Sequence, residues 1–277
     1  MQDLIEMGQA VAIRLILIDV DGTFLGKHGV HPSTWAALDA ARHASVHLGL
    51  CTGRPSAGTA LEYAREVAPD DFHIFHSGAI VSRPGHPAAY RSGLPRETYE
   101  RLVRLSRQEA VPLEVYADSA YFLERETDLT RVHAQHLDLT PLVRDLLEIG
   151  EPIIRAQWVV HERDWPRLRK LTAELAGVEI SPASAPWSPG TVFANLTHQG
   201  TSKAAAMRWL AAHYGIELGQ VAMVGDGEND RDAIQTAGLG IAMANAPTAI
   251  KAQARAVVGD VDHGGLAEAI ALALGVG

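Results

Sequence analysis

Two aspartates separated by one residue, Asp19 and Asp21, come directly after a run of four aliphatic residues at positions 15–18. A run this short and apolar is typical of a buried strand in a parallel sheet. Because ligands bind outside the carboxyl ends of such strands in open α/β sheets, we expect both carboxylates to face a substrate. Two carboxylates this close together repel each other unless a cation lies between them. The spacing therefore predicts a divalent metal site.

A second polar segment, Thr52-Gly53-Arg54, follows a strand predicted over residues 47–51. A hydroxyl group and flexible backbone amides would therefore emerge at the same edge of the sheet as the two aspartates. Such groups can hold a phosphoryl oxygen.

A second acidic segment follows the strand predicted over residues 221–225. Asp226 lies in the turn and Asp230 comes four residues later, in the first turn of a predicted helix, so the spacing aims both carboxylates one way. Lys203 lies in the first turn of a helix predicted over residues 201–214, where the helix dipole disfavours a cation. A lysine at such a position indicates nearby negative charge.

The composition indicates a globular protein and leaves small-molecule chemistry as the default. The chain has 277 residues, 47% of them hydrophobic, which is enough for one large or two ordinary domains. A net charge of −9 with scattered basic residues gives no footprint for nucleic acid or an anionic membrane. The single cysteine, Cys51, excludes an intramolecular disulfide, and residues 1–10 lack the features of an export signal. We therefore expect a cytoplasmic protein without nucleic-acid or membrane partners, with a homodimer left open.

Predicted strands and helices alternate over residues 14–76 and again over residues 201–276, which is the pattern of a parallel sheet covered by helices on both faces. Between them, residues 92–195 carry their own predicted strands and helices and have the length of an inserted domain. The sequence thus predicts an α/β fold with a doubly wound, parallel-sheet core formed by residues 1–91 plus 196–277. The inserted α/β domain would interrupt this core.

Four motifs, taken in order, resemble those of the haloacid dehalogenase (HAD) superfamily. They are Asp19-Val20-Asp21-Gly22-Thr23, Thr52-Gly53-Arg54, Lys203 and Gly225-Asp226-Gly227-Glu228-Asn229-Asp230. The large insertion between the second and third motifs resembles the cap of the Cof-type, or type IIB, subgroup, whose members are mostly magnesium-dependent phosphatases. The resemblance implies a Rossmann-like HAD core, a type IIB cap that acts as a substrate lid, and phosphomonoester hydrolysis.

The resemblance also implies different roles for the two strand-end aspartates. Asp19 would attack phosphorus and become an aspartyl-phosphate, while Asp21 would protonate the leaving oxygen and then activate water. Dehalogenases lack an acid at the position of Asp21, whereas phosphatases and phosphomutases have one. The presence of Asp21 therefore favours phosphate monoesters as substrates.

The other motif residues would hold the phosphate and a magnesium ion. The expected catalytic and phosphate-binding residues, besides Asp21, are Asp19, Thr52, Gly53, Arg54, Lys203 and Asn229. The expected metal ligands are Asp19, the carbonyl group of Asp21, Asp226 and Asp230. Hard oxygen donors of this kind suit Mg²⁺.

Three functions are compatible with these residues. The first is a magnesium-dependent phosphatase acting on a small phosphorylated metabolite, such as a sugar phosphate. The second is a sugar phosphomutase. The third is a noncatalytic metabolite-binding or signalling module, which does not need the intact Asp21 and Lys203.

The family often has Asn-Gly-Ala where this chain has Ser77-Gly78-Ala79, so we expect a changed substrate contact at Ser77.

Overall fold

The computed structural model describes residues 12–118, 120–172, 175–184 and 188–275. The strands within these residues are, in chain order, β1 (Leu15–Ile18), β2 (His47–Leu50), β3 (His73–Phe75), β4 (Ile80–Ser82), β5 (Tyr90–Arg91), β6 (Leu113–Ala117), β7 (Tyr121–Leu123), β8 (Leu142–Val143), β9 (Ile153–His161), β10 (Val178–Ala183), β11 (Thr191–His198), β12 (Val221–Gly225), β13 (Leu239–Met243) and β14 (Ala256–Val258).

The α-helices are α1 (Ser33–His43), α2 (Gly58–Val67), α3 (Arg96–Gln108), α4 (Asp128–Leu137), α5 (Trp165–Thr172), α6 (Lys203–Tyr214), α7 (Arg231–Thr236), α8 (Thr248–Lys251) and α9 (Gly265–Leu274). Among the described residues, none of these helices combines the length and apolar character that crossing a membrane requires.

The chain divides into two compact units. The first comprises residues 1–48, 211–227 and 233–277, and the second comprises residues 49–210 and 228–232. The predicted cap, residues 92–195, lies inside the second unit, and its standing as a separate domain stays a prediction.

The first unit is built on a five-stranded sheet of order β14-β13-β12-β1-β2, in which the pairs β1–β12, β12–β13 and β13–β14 are parallel. All four residues of β1 are fully buried, as expected for an aliphatic strand covered on both faces. β1 pairs with β12 in register from Leu15 opposite Val221 to Ile18 opposite Val224. The chain passes from β1 to β2 on one side, and β12 lies on the other, so the point where the strand order reverses falls between β1 and β12. Ligands bind at such points in open α/β sheets.

Helices α1 and α9 of the first unit contact each other, and α9 also contacts β12, β13 and β14. The apolar face of α9 is buried at Leu266, Ala269, Ile270 and Ala273, a helical spacing that matches one covered face of the sheet. From the sequence we predict helices over residues 33–43 and 265–274 and strands over residues 221–225 and 239–243, and these bounds agree with α1, α9, β12 and β13.

The second unit contains a six-stranded sheet of order β10-β11-β9-β6-β7-β8 and a smaller sheet of order β3-β4-β5. Strand β9 is the long central strand, and it pairs antiparallel with both β6 and β11. Buried side chains of α3, such as Tyr99 and Leu102, share one apolar cluster with Trp158 of β9. The hairpin predicted near residues 79–91 is present as the antiparallel pair β4 and β5.

Four short elements were not predicted: β8, α4, α8 and β14. Helix α4 begins with a capping box, in which the side chain of Thr127 accepts from the backbone N–H of Thr130 and the side chain of Thr130 accepts from the backbone N–H of Thr127. The sequence lacks the Glu or Gln that normally signals this motif. The helix predicted over residues 229–237 is instead a 3₁₀ turn at Glu228–Asp230 followed by α7. The helix predicted over residues 163–176 spans Trp165–Thr172, and residues 173–174 lie outside the described residues.

A buried histidine of β3 joins three segments of the second unit. The backbone N–H of Leu50 donates to His73 Nδ1 at 3.0 Å, and His73 Nε2 donates to the carbonyl oxygen of Ala68 at 2.9 Å. Both ring nitrogens are therefore used by the neutral imidazole. Burial disfavours the charged form and lowers the pKa of His73 from 6.5 to about 4.

We predict that this histidine makes the protein less stable as the pH falls from 6.5 towards 4. In that range the unfolded chain takes up a proton that folded His73 does not bind, so the contribution is complete above pH 6.5 and declines by up to roughly 3 kcal/mol towards pH 4. His73→Gln should lower the free energy of unfolding at pH 7.5 and flatten its dependence on pH. Urea unfolding at several pH values measures this.

The matched control is His28→Gln, because His28 is exposed. This variant should keep the pH dependence of the original protein. An equally steep loss of stability in His73→Gln would contradict the prediction.

Candidate active site

Two acids lie at the ends of the neighbouring strands β1 and β12, where the strand order reverses. The backbone N–H of Asp19 donates to the carbonyl oxygen of Val224 at 2.9 Å, which continues the pairing of the two strands to the edge of the sheet. Asp19 and Asp226 each offer a carboxylate oxygen, and these oxygens lie within 4.8 Å of each other. Asp19 is buried, so water does little to screen the repulsion between the two groups. A pair of hard oxygen ligands at this distance fits a divalent cation such as Mg²⁺.

The carboxylate of Asp226 is held in place by two side-chain donors. Thr23 Oγ1 donates to Asp226 Oδ1 at 3.2 Å, and Asn245 Nδ2 donates to Asp226 Oδ2 at 3.1 Å. The same amide group of Asn245 also donates to the carbonyl oxygen of Gly22 at 2.8 Å. The sequence analysis assigned no role to Asn245.

Gly22 is required by the backbone and by the space beside Asp226. Its φ is +87°, in the left-handed region, and a Cβ at this position would lie 2.2 Å from Asp226 Oδ2. Asp21, by contrast, is exposed in the turn that follows β1. The turn is closed by the backbone N–H of Gly22, which donates to Leu25 at 3.0 Å. Asp21 is therefore placed where a substrate could reach it.

In the second unit, Thr52 begins the loop between the end of β2 and α2. Its backbone N–H donates to the carbonyl oxygen of Ile74 at 2.9 Å, and its own carbonyl oxygen accepts from the N–H of Ser77 at 3.0 Å. The hydroxyl oxygen of Thr52 accepts from the N–H of Arg54 at 3.1 Å. These bonds fix a buried hydroxyl group in one orientation at the end of a strand.

The neighbouring loop residues have different surroundings. A Cβ on Gly53 would lie 3.3 Å from Ser77 Oγ and 3.9 Å from Asn229 Nδ2, so only a small residue leaves these groups their present space. The guanidinium group of Arg54 donates to Thr59 Oγ1 at 2.8 Å and shares a 3.0 Å hydrogen bond with His136 Nε2. Arg54 thus joins α2 to α4, and its predicted role in binding phosphate is not tested by these contacts.

Lys203, at the start of α6, forms a buried ion pair. Its Nζ lies 2.6 Å from Asp230 Oδ1, and the two side chains are 1% and 0% exposed. Asp230 is therefore the nearby negative charge that the position of Lys203 indicated. Gly78 lets the chain pass closely beside this helix start, because a Cβ there would lie 2.2 Å from the carbonyl oxygen of Ser202.

The predicted site residues are divided between the two units. The first unit contains Asp19, Asp21 and Asp226, with Thr23 and Asn245 added by the structure. The second unit contains Thr52, Gly53, Arg54, Lys203, Asn229 and Asp230. The individual roles of these residues stay predictions.

Several known proteins are similar to this chain over most of its length. A putative phosphatase of Haemophilus influenzae is 37% identical over 92% of this chain and 95% of its own length. The putative phosphatase YxeH of Bacillus subtilis is 30% identical over 84% of this chain and 88% of its own.

The fold is similar to that of a solved HAD-superfamily phosphatase from Bacteroides thetaiotaomicron. The two structures match with a TM-score of 0.82 over the full length of both chains, at 25% sequence identity. The similarity supports the predicted α/β fold class of the superfamily.

The family model for haloacid dehalogenase-like hydrolases matches residues 16–270. Together with the relatives, this match confirms the predicted superfamily and the predicted enzyme class, a phosphomonoester hydrolase. The chain belongs to the family of haloacid dehalogenase-like hydrolases.

Proposed function

We propose that this enzyme is a Mg²⁺-dependent phosphatase that hydrolyses a small phosphorylated metabolite, such as a sugar phosphate, through an aspartyl-phosphate on Asp19. The observation that carries the proposal is the pair of Asp19 and Asp226 at the ends of β1 and β12, with oxygens within 4.8 Å of each other. Membership of a hydrolase family and relatives named as phosphatases support the reaction class.

The first chemical step is attack by the Asp19 carboxylate on phosphorus. A phosphate monoester carries two negative charges near neutral pH, so it repels a carboxylate unless the charge between them is offset. Bound to Asp19, the Asp21 carbonyl group, Asp226 and Asp230, Mg²⁺ would supply that positive charge. The hydrogen bonds from Thr23 and Asn245 hold Asp226 in one orientation for this purpose.

Asp21 acts as the general acid and then as the general base. It protonates the oxygen of the leaving alcohol when the ester bond breaks. The resulting carboxylate then takes a proton from the water that hydrolyses the aspartyl-phosphate. The exposed position of Asp21 in the turn after β1 is compatible with both roles.

The residues of the second unit that hold the phosphate are Thr52, Gly53, Arg54, Lys203 and Asn229. Thr52 offers a hydroxyl group in a fixed orientation, and Lys203 offers a cation that Asp230 keeps in place at 2.6 Å. Groups fixed in this way stabilise charge on the transferring oxygens without having to reorganise during the reaction.

The enzyme is also proposed to act in the cytoplasm on a small molecule, without nucleic acid or a membrane as partner. This part rests on the single cysteine, which is buried, and on the net charge of −9.

We predict that Asp21→Asn slows hydrolysis in a way that depends on the leaving group. Loss of a general acid costs about 10²- to 10⁴-fold for an alkyl phosphate, whose alkoxide is a poor leaving group. The loss should be much smaller for p-nitrophenyl phosphate, because nitrophenolate leaves without a proton. The measurement is kcat/KM for both esters, with the original enzyme as reference.

Asp19→Asn is the matched control, because it removes the nucleophile and should be inactive on both esters. Equal losses on the two esters in Asp21→Asn would show that Asp21 is not the acid. Isomerised product instead of released phosphate would indicate a phosphomutase.

We predict that removing divalent metal abolishes turnover reversibly. After dialysis against EDTA, phosphate release should cease, and added Mg²⁺ should restore it. Ca²⁺ should inhibit, because its larger and looser coordination would misplace the Asp19 carboxylate. Full activity in excess EDTA would rule out the metal-dependent mechanism.

A further inference from the structure

The turn that follows β3 contains two consecutive residues in the left-handed region that are not glycine. His76 has φ +52° and Ser77 has φ +56°. Each such residue is strained, and conformations of this kind persist only where the surrounding structure holds them. Here the N–H of His76 donates to the carbonyl oxygen of Arg54 at 2.9 Å, and the N–H of Ser77 donates to that of Thr52 at 3.0 Å. The strained turn is therefore bonded to the loop proposed to hold the phosphate.

The hydrogen bond from Ser56 determines which nitrogen of His76 carries the proton. The backbone N–H of Ser56 donates to His76 Nε2 at 3.3 Å, so Nε2 is the acceptor and Nδ1 carries the hydrogen of the neutral ring. Within the described part of the chain, buried Nδ1 has no hydrogen-bond partner, and neither has Ser77 Oγ. An unpaired buried polar group costs about 1–3 kcal/mol, so two in succession call for a ligand.

The imidazole of His76 is a neutral donor. Burial and the nearby charge of Arg155 lower the pKa of His76 well below its ordinary value. The Arg155 guanidinium lies 4.3 Å from the centre of the Tyr116 ring, and the Tyr116 and His76 rings meet in an edge-type contact with a centroid distance of 5.8 Å. The site therefore presents an N–H group without a positive charge.

His76 lines a cavity of about 260 Å³, together with Pro55, Ser56, Tyr116, Asp118 and Tyr121. A cavity of this volume suits a small molecule. Pro55 and Ser56 follow directly after Arg54, so the cavity adjoins the predicted phosphate loop. The His76–Ser77 turn therefore contacts this loop and, through His76, borders the cavity.

The charges around the cavity are paired, with Arg91 beside Asp118 and Arg155 near Glu114, which favours a neutral ligand over an ion. Asp118 lines the cavity and is ion-paired with Arg91. Behind the wall, the fully buried Glu114 accepts hydrogen bonds from Tyr116 at 3.0 Å and from Tyr121 at 2.6 Å. Both tyrosine hydroxyl groups are thus directed to Glu114. His76, which lines the cavity and has an unpaired ring nitrogen, is left to meet a ligand there.

We propose that this cavity binds a neutral, hydroxyl-bearing leaving group and that His76 Nδ1–H hydrogen-bonds to one of its hydroxyl oxygens. His76 would thus determine specificity for polyol or sugar phosphates over alkyl or carboxylate-bearing phosphates. The inference rests on the proposed function, because it assigns the leaving group of that reaction.

The test uses three esters with the same three-carbon chain. Glycerol 1-phosphate carries hydroxyl groups, propyl phosphate carries none, and 3-phosphoglycerate has a carboxylate in place of one hydroxymethyl group. The variant is His76→Gly, because glycine adopts φ +52° without strain and removes only the imidazole. We expect kcat/KM to fall about tenfold more for glycerol 1-phosphate than for propyl phosphate, the effect of one lost hydrogen bond.

Two further variants sharpen the test. His86→Gly is the matched control, since His86 is exposed in the turn between β4 and β5, and it should keep the original ratio of the two rates. His76→Asp, which also tolerates a positive φ but offers an acceptor in place of the donor, should lower the ratio too and serves as the second test if His76→Gly does not fold.

A measurement without turnover separates this inference from the proposed function. Calorimetry with the Asp19→Asn enzyme, with and without His76→Gly, gives the affinity for glycerol 1-phosphate and propyl phosphate. A selective loss of affinity for glycerol 1-phosphate in the His76→Gly variant supports the inference. If the original enzyme hydrolyses neither ester, that separate result overturns the proposed phosphatase function and leaves the inference standing.

Equal losses for the two esters in His76→Gly, or no binding of either ester to the Asp19→Asn enzyme, would overturn the role of His76. If the original enzyme still releases phosphate, the proposed phosphatase function is unaffected. A preference of the original enzyme for 3-phosphoglycerate over glycerol 1-phosphate would overturn the assignment of a neutral leaving group.

Discussion

Two carboxylates with oxygens within 4.8 Å of each other repel strongly, and much of the first unit serves to keep Asp19 and Asp226 in this arrangement. The parallel pairing of β1 and β12 brings the two strand ends together. Thr23 and Asn245 then offset and orient the charge of Asp226, and Gly22 leaves the space that this carboxylate occupies. An arrangement that is unfavourable without a cation is what a metal-assisted attack on phosphate requires.

The second unit shows how consistently buried charge is paired. Lys203 and Asp230 form an ion pair that is almost fully buried, and Glu114 accepts from two tyrosine hydroxyl groups and shares a 2.8 Å hydrogen bond with His133 Nδ1. In the His76–Ser77 turn two consecutive residues have unpaired buried atoms, whereas the other such atoms among the described residues are the single Nε groups of Arg83, Arg155 and Arg231. Folded chains rarely leave buried polar atoms without partners, so such a pair points to a ligand.

The elements predicted well are those whose pattern is local. The aliphatic run of β1, the sharp end of α9 before Gly275 and the strand β12 are each specified by residues close in sequence. The missed elements depend on distant partners. Strand β14 has only three residues and is ordered by pairing with β13, while α4 is capped by threonines that carry no strong sequence signal. Neither the pairing of β14 with β13 nor the threonine cap of α4 can be predicted from local propensity.

The sequence by itself determined the family and the fold class, because these depend on residue types in a fixed order along the chain. Only the tertiary structure decided that Asn245 holds Asp226, that Asp230 is the partner of Lys203, and that His76 carries its proton on Nδ1. Each of these contacts joins residues whose separation in sequence carries no signal. They arise from burial, since a polar group removed from water must find its partner wherever the fold places one.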